Sequence, residues 1–460
     1  MKTNRSPWIH ELDPIRPVVP LREDVTTSVV IVGAGISGIA TAFFTLKYTH
    51  RPVVLIDRGL IAHGATGHNA GQLLADFERP FDEIVSEFGF DLAIAGWRDI
   101  RSGWELLSEM YSDADCRIKF SRFPGYIGKT TLDQTIIYLE ELSLKVKGGF
   151  HDEQCYISKD APFLSSIPEK YRDLYSVVEP RFIQERLETE SDIFHTLVVD
   201  ERGCLNSALL CQEVAKYLQK TYVHRFGLYE QTQMRKLVLH DDHVVIDTGN
   251  HTITAEHAVL CTNGFEDFSV FDKHGLAIDL AFHRMIKGEV GYMSGYLEKM
   301  NKEPIGISFF MPDIDPRHEE EGQYFYLTRR PYDIDLDRRP GKWNLICVGG
   351  PEAHLSDREQ YFFEYDYPDT MQHDIDAFIK GYYDTDPNKK INYQFTWHGL
   401  MGYTPDRIRR IGFEPRNNRL LYNVGCNGIG LIPALFGGRK IARLLSGEQL
   451  PPSIFDPRIH

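Results

Sequence analysis

The clearest pattern of hydrophobic positions lies near the amino terminus, in the stretch SVVIVGAGISGIATAFF (residues 28–44). The apolar run Val29–Val32 is typical of a buried strand, and a glycine-rich turn follows it. Apolar residues then recur at the spacing of one helix face, at Ile36, Ile39, Ala40, Phe43 and Phe44. A second apolar run, Val53–Ile56, ends in Asp57. The pattern therefore predicts a strand, a tight turn, a helix and a second strand.

The rest of the chain mixes helical and strand patterns. Helices are predicted over residues 81–112, 132–147 and 206–222. Three short apolar runs between residues 234 and 264 predict a β-meander, and residues 280–350 alternate as in a sheet around a loop-like charged stretch at 311–322. The stretch RIKFSRFPGYIGKT (117–130) predicts two strands broken at Pro124-Gly125.

Composition narrows the class of protein. The chain of 460 residues allows about two to three domains, and 42% hydrophobic with 25% charged residues is ordinary for a soluble globular protein. A formal net charge of −15 argues against nucleic acid as a partner, because phosphate contacts need basic surface. Seven cysteines without a CxxC pair indicate a reducing compartment. Residues 1–21 lack the apolar core of a secretory signal, and no stretch predicts a transmembrane helix, so we expect a cytoplasmic protein.

The first glycine-rich turn carries a dinucleotide-binding pattern. Gly33, Gly35 and Gly38 have the spacing G-x-G-x-x-G, which allows a tight bend, close approach of a pyrophosphate and close packing of helix on strand. The helix start offers N–H groups to phosphate oxygens. Asp57 follows Gly38 by 19 residues, near the spacing at which an acid accepts hydrogen bonds from ribose hydroxyls. We therefore predict a Rossmann-like dinucleotide site.

Two further stretches favour an extended cofactor. Residues 62–72, AHGATGHNAGQ, are small and rich in polar side chains, as expected where backbone lies along a flat ring and a pyrophosphate. Residues 426–447 begin with a second glycine-rich turn that opens a helix. Glycine-rich turns near opposite ends of one chain favour FAD over NAD, because an extended FAD molecule can contact both turns.

These stretches, together with CLNSALL (204–210), Leu260–Gly264 and Trp397–Asp406, resemble the D-amino-acid-oxidase-like FAD-dependent oxidoreductases. Members of that family include glycine, sarcosine and dimethylglycine oxidoreductases and gamma-glutamylputrescine oxidase. The resemblance implies an α/β fold (α+β overall) with a Rossmann-like FAD-binding domain of discontinuous segments and an antiparallel-sheet substrate domain. The expected FAD segments are residues 1–80, 195–265 and 395–460, and the expected substrate domain with its helical insertion covers 81–194 and 266–394.

The resemblance also implies a set of cofactor-binding residues. They lie in the fingerprint, in the loop after the second strand, near residue 262 and in the carboxy-terminal turn: Gly33, Gly35, Ile36, Ser37, Gly38, Asp57, Arg58, Gly64, Ala65, Thr66, His68, Asn69, Ala70, Gly71, Thr262, Asn263, Gly264, Asn427, Gly428, Ile429 and Gly430. The last turn would face the pyrimidine edge of the flavin, where a helix start stabilises the negative charge of reduced flavin.

Four residues are candidates for contact with substrate or flavin. His68 is similar to the histidine that bonds FAD covalently in dimethylglycine-type dehydrogenases; the alternatives are a polar or acid–base role and a role in holding the loop, and we expect FAD to be held without a covalent bond. Lys287 and Tyr326 could anchor a carboxylate, by charge or by a phenolic donor, or could merely pack on the sheet. His398 could touch substrate or flavin, or could be a structural histidine.

The segment TPDRIRRIG (404–412) departs from the family, in which T-P-D is often followed by an apolar residue, a proline, any residue, an isoleucine and a glycine. Arg407, Arg409 and Arg410 could bind an acidic ligand, but we expect a solvated charged turn. Residues 399–403 contain no cysteine, so no cysteinyl flavin link is expected. The sequence HDDH (240–243) falls at a predicted hairpin turn, and no metal site is expected there.

The resemblance implies oxidation of a small amine or amino acid by hydride transfer to flavin N5, giving an imine that hydrolyses. Oxygen or another electron acceptor would reoxidise the flavin. Three alternatives stay open: a flavin dehydrogenase of a 2-hydroxy acid, suggested by Thr66–Asn69; a flavin-binding protein without turnover; and a nucleic-acid-modifying flavoenzyme, which the acidic balance disfavours.

Overall fold

Two mixed β-sheets and the helices packed on them make up the part of the chain that the computed structural model describes, residues 4–265, 267–278, 286–313, 324–355, 361–384 and 390–458. The strands are β1 Val25–Val32, β2 Val53–Ile56, β3 Gln72–Leu73, β4 Ser121–Lys129, β5 Gln154–Ser158, β6 Tyr175–Val178, β7 Thr196–Cys204, β8 Phe226–Tyr229, β9 Lys236–Leu239, β10 Val244–Asp247, β11 Thr252–Leu260, β12 Ser269–Asp272, β13 Lys287–Lys299, β14 Ile305–Phe310, β15 Tyr324–Ile334, β16 Pro340–Leu355, β17 Phe395–Tyr403, β18 Arg410–Glu414 and β19 Asn417–Val424.

The helices confirm the periodicity of the sequence. They are α1 Pro7–His10, α2 Ile36–Tyr48, α3 Phe81–Phe88, α4 Phe90–Arg101, α5 Gly103–Asp113, α6 Leu132–Lys147, α7 Pro180–Leu187, α8 Ser207–Thr221, α9 Asp369–Phe378 and α10 Leu431–Leu445. Helix α6 starts at a capping box formed by Thr131 and Gln134, which explains its sharp beginning. Among the described helices, none combines the length and apolar character needed to cross a membrane.

The first sheet has the order β12-β9-β10-β11-β1-β2-β8, with β19 pairing to the end of β11 and β18 pairing to β19. Strands β8, β2, β1, β11 and β19 run parallel to one another. Helix α2 packs against α8 and α10, so nearly all of its residues are buried. The predicted strand, turn, helix and strand of the fingerprint are confirmed. Because parallel strands end at one edge, the loops after β1, β2, β11 and β19 meet there.

The second sheet has the order β17-β13-β16-β15-β14-β4-β7-β5-β6, with β3 pairing to β7. It is antiparallel except between β14 and β4 and between β5 and β6. The predicted antiparallel sheet and the β-meander β9-β10-β11 of the first sheet are both confirmed, and HDDH lies in the hairpin between β9 and β10. Most of the charged stretch 311–322 lies outside the described residues.

Pro124 corrects one local prediction. Residues 121–129 form a single strand, β4, that pairs with β7 along its whole length, rather than two strands broken at Pro124-Gly125. On its other side β4 pairs with β14 only from Tyr126 to Gly128. Pro124 therefore lies where one side of β4 is an edge, which is the place in a sheet where a missing N–H is tolerated.

The sheets also divide the chain differently from the predicted segments. Strands β7 and β17 fall in the expected FAD-binding segments but pair in the second sheet. Strand β12 falls in the expected substrate segment but pairs with β9 in the first sheet. Along the described chain the backbone passes from the first sheet to the second and back twice, so each sheet is assembled from separated segments.

Candidate functional site

A cavity of about 1760 Å³ opens at the edge where the parallel strands of the first sheet end. Its lining includes the turns after β1, β2, β11 and β19, and on the other side residues of β13, β15, β16 and β17. Both sheets therefore contribute to one site. Pockets for single small ligands are typically about 300–1,000 Å³, so this cavity has room for a large ligand and a small one together.

The turn after β1 brings helix and strand into close contact. Gly33 has φ +104°, and a Cβ atom there would lie 2.6 Å from the Cys261 carbonyl oxygen. A Cβ atom at Gly38 would lie 1.8 Å from the Gly33 carbonyl oxygen. A side chain at either position would force β1, β11 and α2 apart. The close approach leaves the start of α2 facing the cavity.

Asp57 ties the ends of β1 and β2 together. Its carboxylate accepts hydrogen bonds from the backbone N–H of Ala34 at 2.7 Å and of Gly59 at 2.8 Å. Burial raises the pKa of Asp57, and these two N–H groups oppose that shift. Each carboxylate oxygen can accept a further bond, because an ionised carboxylate offers about four lone-pair positions. Asp57 lines the cavity beside Arg58, which forms an exposed ion pair with Asp267.

The loop after β2 is fixed by its own polar side chains. The Thr66 hydroxyl accepts a hydrogen bond from the Ile36 N–H at 3.0 Å, so it caps the first turn of α2. The Asn69 side chain donates to the Thr66 carbonyl at 2.5 Å and to the Ser207 hydroxyl at 2.8 Å, and accepts from the Gly71 N–H at 2.7 Å. Thr66 and Asn69 therefore hold the backbone of residues 64–71 along the cavity.

Two tryptophans clamp the same loop from behind. The indole N–H of Trp8 donates to the Asn69 carbonyl at 2.6 Å, and that of Trp397 donates to the same oxygen at 3.2 Å. The two rings meet edge to face, with centroids 6.3 Å apart, and both are fully buried. Sequence reasoning missed Trp8, because nothing in the polar amino-terminal segment marks its side chain as buried.

His68 lines the cavity, and one of its ring nitrogens is held by the backbone of its own loop. Its Nδ1 lies 3.0 Å from the Gly64 carbonyl oxygen, which can only accept, so Nδ1 carries the proton in the neutral ring. Nε2 is then the nitrogen with a free lone pair. Phe363 packs on the ring with centroids 5.0 Å apart. Burial, with minor help from His63 and His398, lowers the pKa of His68 to about 4, so the ring is neutral at physiological pH.

Side-chain amides join the turn after β19 to the turn after β11 and to the segment after β17. The Asn263 side chain accepts a hydrogen bond from the Cys426 N–H at 2.8 Å, and that of Asn427 accepts from the Thr404 N–H at 2.8 Å. The hydroxyl of Thr262 lines the cavity region and is buried without a hydrogen-bond partner among the described residues. Because Thr262 lines the cavity, its hydroxyl is available for a hydrogen bond to a ligand there.

Phenols and carboxylates line the part of the cavity formed by the second sheet. Tyr403 is buried there and Tyr326 is half-buried, and desolvation raises the pKa of each phenol well above its usual value. Glu78 and Glu352 lie near both phenols and raise their pKa values further. The phenols are therefore neutral donors at physiological pH. Of these four residues, sequence reasoning had singled out only Tyr326.

Two of the predicted substrate contacts lie elsewhere. Lys287 is exposed at the first residue of β13 and is not among the residues that line the cavity. His398 is buried, and both of its ring nitrogens are engaged, Nε2 with the Tyr365 carbonyl at 3.0 Å and Nδ1 with the Tyr361 hydroxyl at 3.0 Å. In this arrangement His398 holds residues 361–365 against β17, which is the structural alternative considered from the sequence.

The structure corrects the prediction that the basic segment at residues 407–410 is a solvated turn. Arg409 is only 5% exposed and Arg410 only 1% exposed, so the segment is not a solvated charged turn. Arg410 forms an ion pair with Asp406 at 2.7 Å. Arg409 lines the cavity and donates to the Ser37 hydroxyl at 2.5 Å on the first turn of α2. The three arginines in a short stretch were the signal for this contact, but their spacing does not reveal which way each side chain turns.

Most predicted residues are gathered in the cavity wall. Those that line it are Gly33, Gly35, Ile36, Ser37, Asp57, Arg58, Gly64, Ala65, Thr66, His68, Asn69, Ala70, Thr262, Asn263, Gly428, Ile429, Gly430 and Tyr326. Gly38, Gly71, Gly264 and Asn427 lie just behind this wall and shape the turns. The predicted site is thus one continuous surface, and the roles of its residues follow as proposals below.

Comparison with known sequences identifies related proteins. The profile of the family described as FAD dependent oxidoreductase (DAO) matches residues 28–444. The chain is 30% identical over 127 residues to the gamma-glutamylputrescine oxidoreductase of Escherichia coli (strain K12). That match covers 27% of this chain and 29% of the relative, so it extends over less than a third of either protein.

Solved structures share the fold at low sequence identity. Glycine oxidase from Geobacillus kaustophilus superimposes with a TM-score of 0.63 at 14% identity, covering 95% of this chain and 99% of that protein. L-proline dehydrogenase from P. horikoshii superimposes with a TM-score of 0.65 at 13% identity, covering 95% of this chain and 97% of that protein. The two-sheet architecture is therefore common to all three proteins.

Proposed function

The chain belongs to the family of FAD-dependent oxidoreductases (DAO), and from that premise we propose that it oxidises a small amine or amino acid. The proposal is based mainly on one observation, that two features share a single cavity. The edge of a dinucleotide-binding sheet forms one wall, and a chamber lined by the half-buried Tyr326 and the buried Tyr403 forms another. A redox cofactor held on the first wall would meet a small substrate in the second.

The residues present fit FAD. The cavity reaches from Asp57, after β2, to Gly428 and Gly430, before α10, so an extended molecule can touch both. Two helix starts, those of α2 and α10, lie along this path and favour negative charge. The unpartnered Thr262 hydroxyl offers a hydrogen bond between them. This donor set matches a molecule with a central pyrophosphate and a ring that gains negative charge on reduction.

We assign the cofactor contacts accordingly. Asp57 would accept hydrogen bonds from the ribose, and the turn Gly33–Ser37 would receive the pyrophosphate. The loop Gly64–Gly71 would lie along the ring. The turn Asn427–Gly430 would stabilise charge at the pyrimidine edge, because the start of α10 carries partial positive charge. Gly38 and Asn427, although behind the wall, would act by fixing the shape of these turns.

When bound, FAD would supply the electron acceptor for the hydride that leaves the substrate C–H bond. The substrate's nitrogen lone pair forms the new C=N bond as that C–H bond breaks. Water then adds to the imine and releases a carbonyl product together with ammonia, or with an amine where the substrate is a secondary amine. The buried walls exclude bulk water from the reacting carbon, and the Tyr326 hydroxyl donates a hydrogen bond that orients the substrate. No nucleophilic side chain is required.

We propose that FAD is held without a covalent bond and that His68 positions the loop and faces the ring through Nε2. The hydrogen bond of Nδ1 to Gly64 and the packing of Phe363 support this role. Acid precipitation of the purified holoprotein tests it. We expect the yellow flavin to stay in the supernatant; flavin that precipitates with the wild-type protein but not with a His68→Ala variant would identify a covalent link instead.

Anaerobic reduction of the bound flavin tests the proposed reaction. Small primary and secondary amines, amino acids of both configurations and 2-hydroxy acids are added separately, and the visible absorbance of oxidised flavin is followed. We expect bleaching by at least one amine or amino acid. Bleaching by 2-hydroxy acids alone would favour that alternative dehydrogenase, and a full panel without bleaching would favour a flavin-binding protein without turnover. Adding oxygen, or a quinone without oxygen, to the reduced enzyme then identifies the acceptor class.

A further inference from the structure

Arg409 differs from every other buried arginine among the described residues. Five arginines are buried, and four of them pair with a carboxylate: Arg202 with Asp200, Arg329 with Glu188, Arg330 with Glu11, and Arg410 with Asp406. Arg409 is the fifth, and the structure gives it no carboxylate partner within the described chain. A buried cation needs compensation, since burial without it is costly.

The contacts of Arg409 fix its direction and leave part of it unused. Its Nε donates to the Asn423 side chain at 2.8 Å, and its Nη2 donates to the Ser37 hydroxyl at 2.5 Å and to the Asn423 carbonyl at 3.3 Å. Nη1 donates to none of the described residues. Because Arg409 lines the cavity, the free side of the guanidinium fork is available to a ligand there.

The surroundings of Arg409 are themselves electropositive. Ser37 is the second residue of α2, so the guanidinium lies beside a helix start whose partial charge has the same sign. Burial lowers the pKa of Arg409 to about 10, which still leaves it charged at physiological pH. Two positive features brought together in a buried place, without an acidic residue, indicate that an anion completes the site.

We propose that Arg409 binds the pyrophosphate of FAD, completing with the start of α2 a cationic site for its phosphate oxygens. Ser37, immediately after the fingerprint turn, places the guanidinium at the dinucleotide end of the cavity rather than among the phenols of the second sheet. Asn423 is the residue that positions it, by holding Nε. This contact does not depend on which substrate the enzyme oxidises.

Flavin binding to the apoprotein tests the assignment without relying on turnover. Full-length wild-type, Arg409→Gln, Arg409→Lys and Arg410→Gln proteins are freed of flavin and titrated with FAD and, separately, with riboflavin, which has no phosphate. For Arg409→Gln we expect the Kd for FAD to rise about 10- to 100-fold, as for loss of a charge-assisted hydrogen bond, with the Kd for riboflavin unchanged. For Arg409→Lys, which keeps the charge but loses the planar fork of donors, we expect a Kd for FAD between those of the wild type and Arg409→Gln.

Arg410→Gln is the matched control, because Arg410 is equally buried but does not line the cavity. It should lower thermal stability and leave the difference between FAD and riboflavin affinity as in the wild type. Equal weakening of both ligands by Arg409→Gln, or no weakening of FAD, would overturn the proposal. Should Arg409→Gln fail to fold, Arg409→Lys decides: unchanged FAD affinity together with an unchanged salt dependence of that affinity would overturn it.

A phosphorus NMR spectrum of the holoprotein gives a second readout that applies even if flavin resists removal. We expect the two pyrophosphate resonances to shift in Arg409→Lys and to stay in place in Arg410→Gln. Resonances that are identical in wild type and Arg409→Lys would contradict the contact. Failure of the amine and amino-acid screen would leave these binding results unaffected, so the two proposals are tested separately.

Discussion

The two histidines of the predicted site meet different environments, and the difference lies in their partners. Both ring nitrogens of His398 are hydrogen-bonded, to the Tyr361 hydroxyl and the Tyr365 carbonyl. The ring is therefore fixed, and neither nitrogen is left to bind a ligand. The Nδ1 of His68 donates to the Gly64 carbonyl of its own loop, and the side chain of His68 lines the cavity. A sequence cannot distinguish these cases, because Tyr361 and Tyr365 lie more than thirty positions before His398 and only the fold brings them together.

His68 should make the apoprotein less stable in mild acid. Its pKa is about 4 in the folded chain, against 6.5 for an ordinary histidine, so between these values the unfolded chain binds more protons. Folding stability therefore falls as pH drops through that range. We expect the fall in Tm between about pH 7.5 and about pH 5 to be smaller in His68→Gln than in wild type. The exposed His274→Gln controls for loss of an imidazole as such, and an equal fall in all three proteins would contradict the prediction.

Tyr326 should matter for substrate and not for flavin. Its hydroxyl lines the cavity and is kept neutral by burial, so it can donate a hydrogen bond to a substrate. For Tyr326→Phe we expect kcat/KM to fall about 10-fold, chiefly through KM, with the Kd for FAD unchanged.

Tyr111→Phe is the matched control, because it removes a hydroxyl that donates to the Ile118 carbonyl at 2.6 Å, outside the cavity. It should cost some stability and leave kcat/KM as in the wild type. An unchanged KM in Tyr326→Phe, or a change shared by both variants, would remove Tyr326 from the substrate site.

At the scale of elements, the glycine turn is the feature that the sequence predicts best. Its spacing is local: Gly38 must be glycine because a Cβ atom there would meet the Gly33 carbonyl only five residues earlier. Other features of the fold depend on which strands pair across long distances in the sequence. Pro124 was expected to end a strand, yet β4 continues through it because β14 covers only the far end of that strand. Arg409 was expected in solvent, yet the pairing of β18 with β19 turns it toward α2.

Gly38→Ala should therefore break the first element of the site. The added methyl group can be accommodated only if α2 moves away from β1, and overpacking of this kind costs about 1–3 kcal/mol of unfolding free energy. We expect a lower Tm and purified protein that contains little or no FAD. Gly381→Ala is the control, since a Cβ atom there has no atom within 4 Å. A Gly38→Ala protein with full flavin content would show that close packing at this turn is not required.

The amino-terminal helix α1 is the element whose role the sequence does not reveal. Its Trp8 is fully buried and holds the loop at residues 64–71 through the Asn69 carbonyl. In Trp8→Phe the packing is largely kept and the hydrogen bond is lost, so we expect the Kd for FAD to rise about 3- to 10-fold, as for loss of about 1 kcal/mol.

Trp104→Phe serves as the comparison for Trp8→Phe. Trp104 is equally buried, and its indole N–H has no hydrogen-bond partner among the described residues. Its replacement should leave FAD affinity unchanged, as followed by difference absorbance. If both variants bind FAD like the wild type, the clamp on the loop contributes nothing to cofactor binding.

At the scale of the whole molecule, the site is formed because the described chain crosses repeatedly between two sheets. The loops after β1, β2, β11 and β19 come from positions 33 to 430 of the sequence and meet at one edge because these strands are parallel and adjacent. The second sheet closes over that edge and supplies the phenols. The family resemblance predicted this architecture. Only the structure shows which of the two sheets β7, β12 and β17 belong to.

Titration of the flavin-free chain with FAD tests whether this edge binds one cofactor that reacts with an amine. We expect uptake to saturate at a single FAD per chain and to raise Tm, as binding to the folded state must. We also expect a yellow protein whose absorbance is bleached by an amine or amino acid without oxygen. A purified chain that is colourless and takes up no FAD supplied in excess would contradict both expectations.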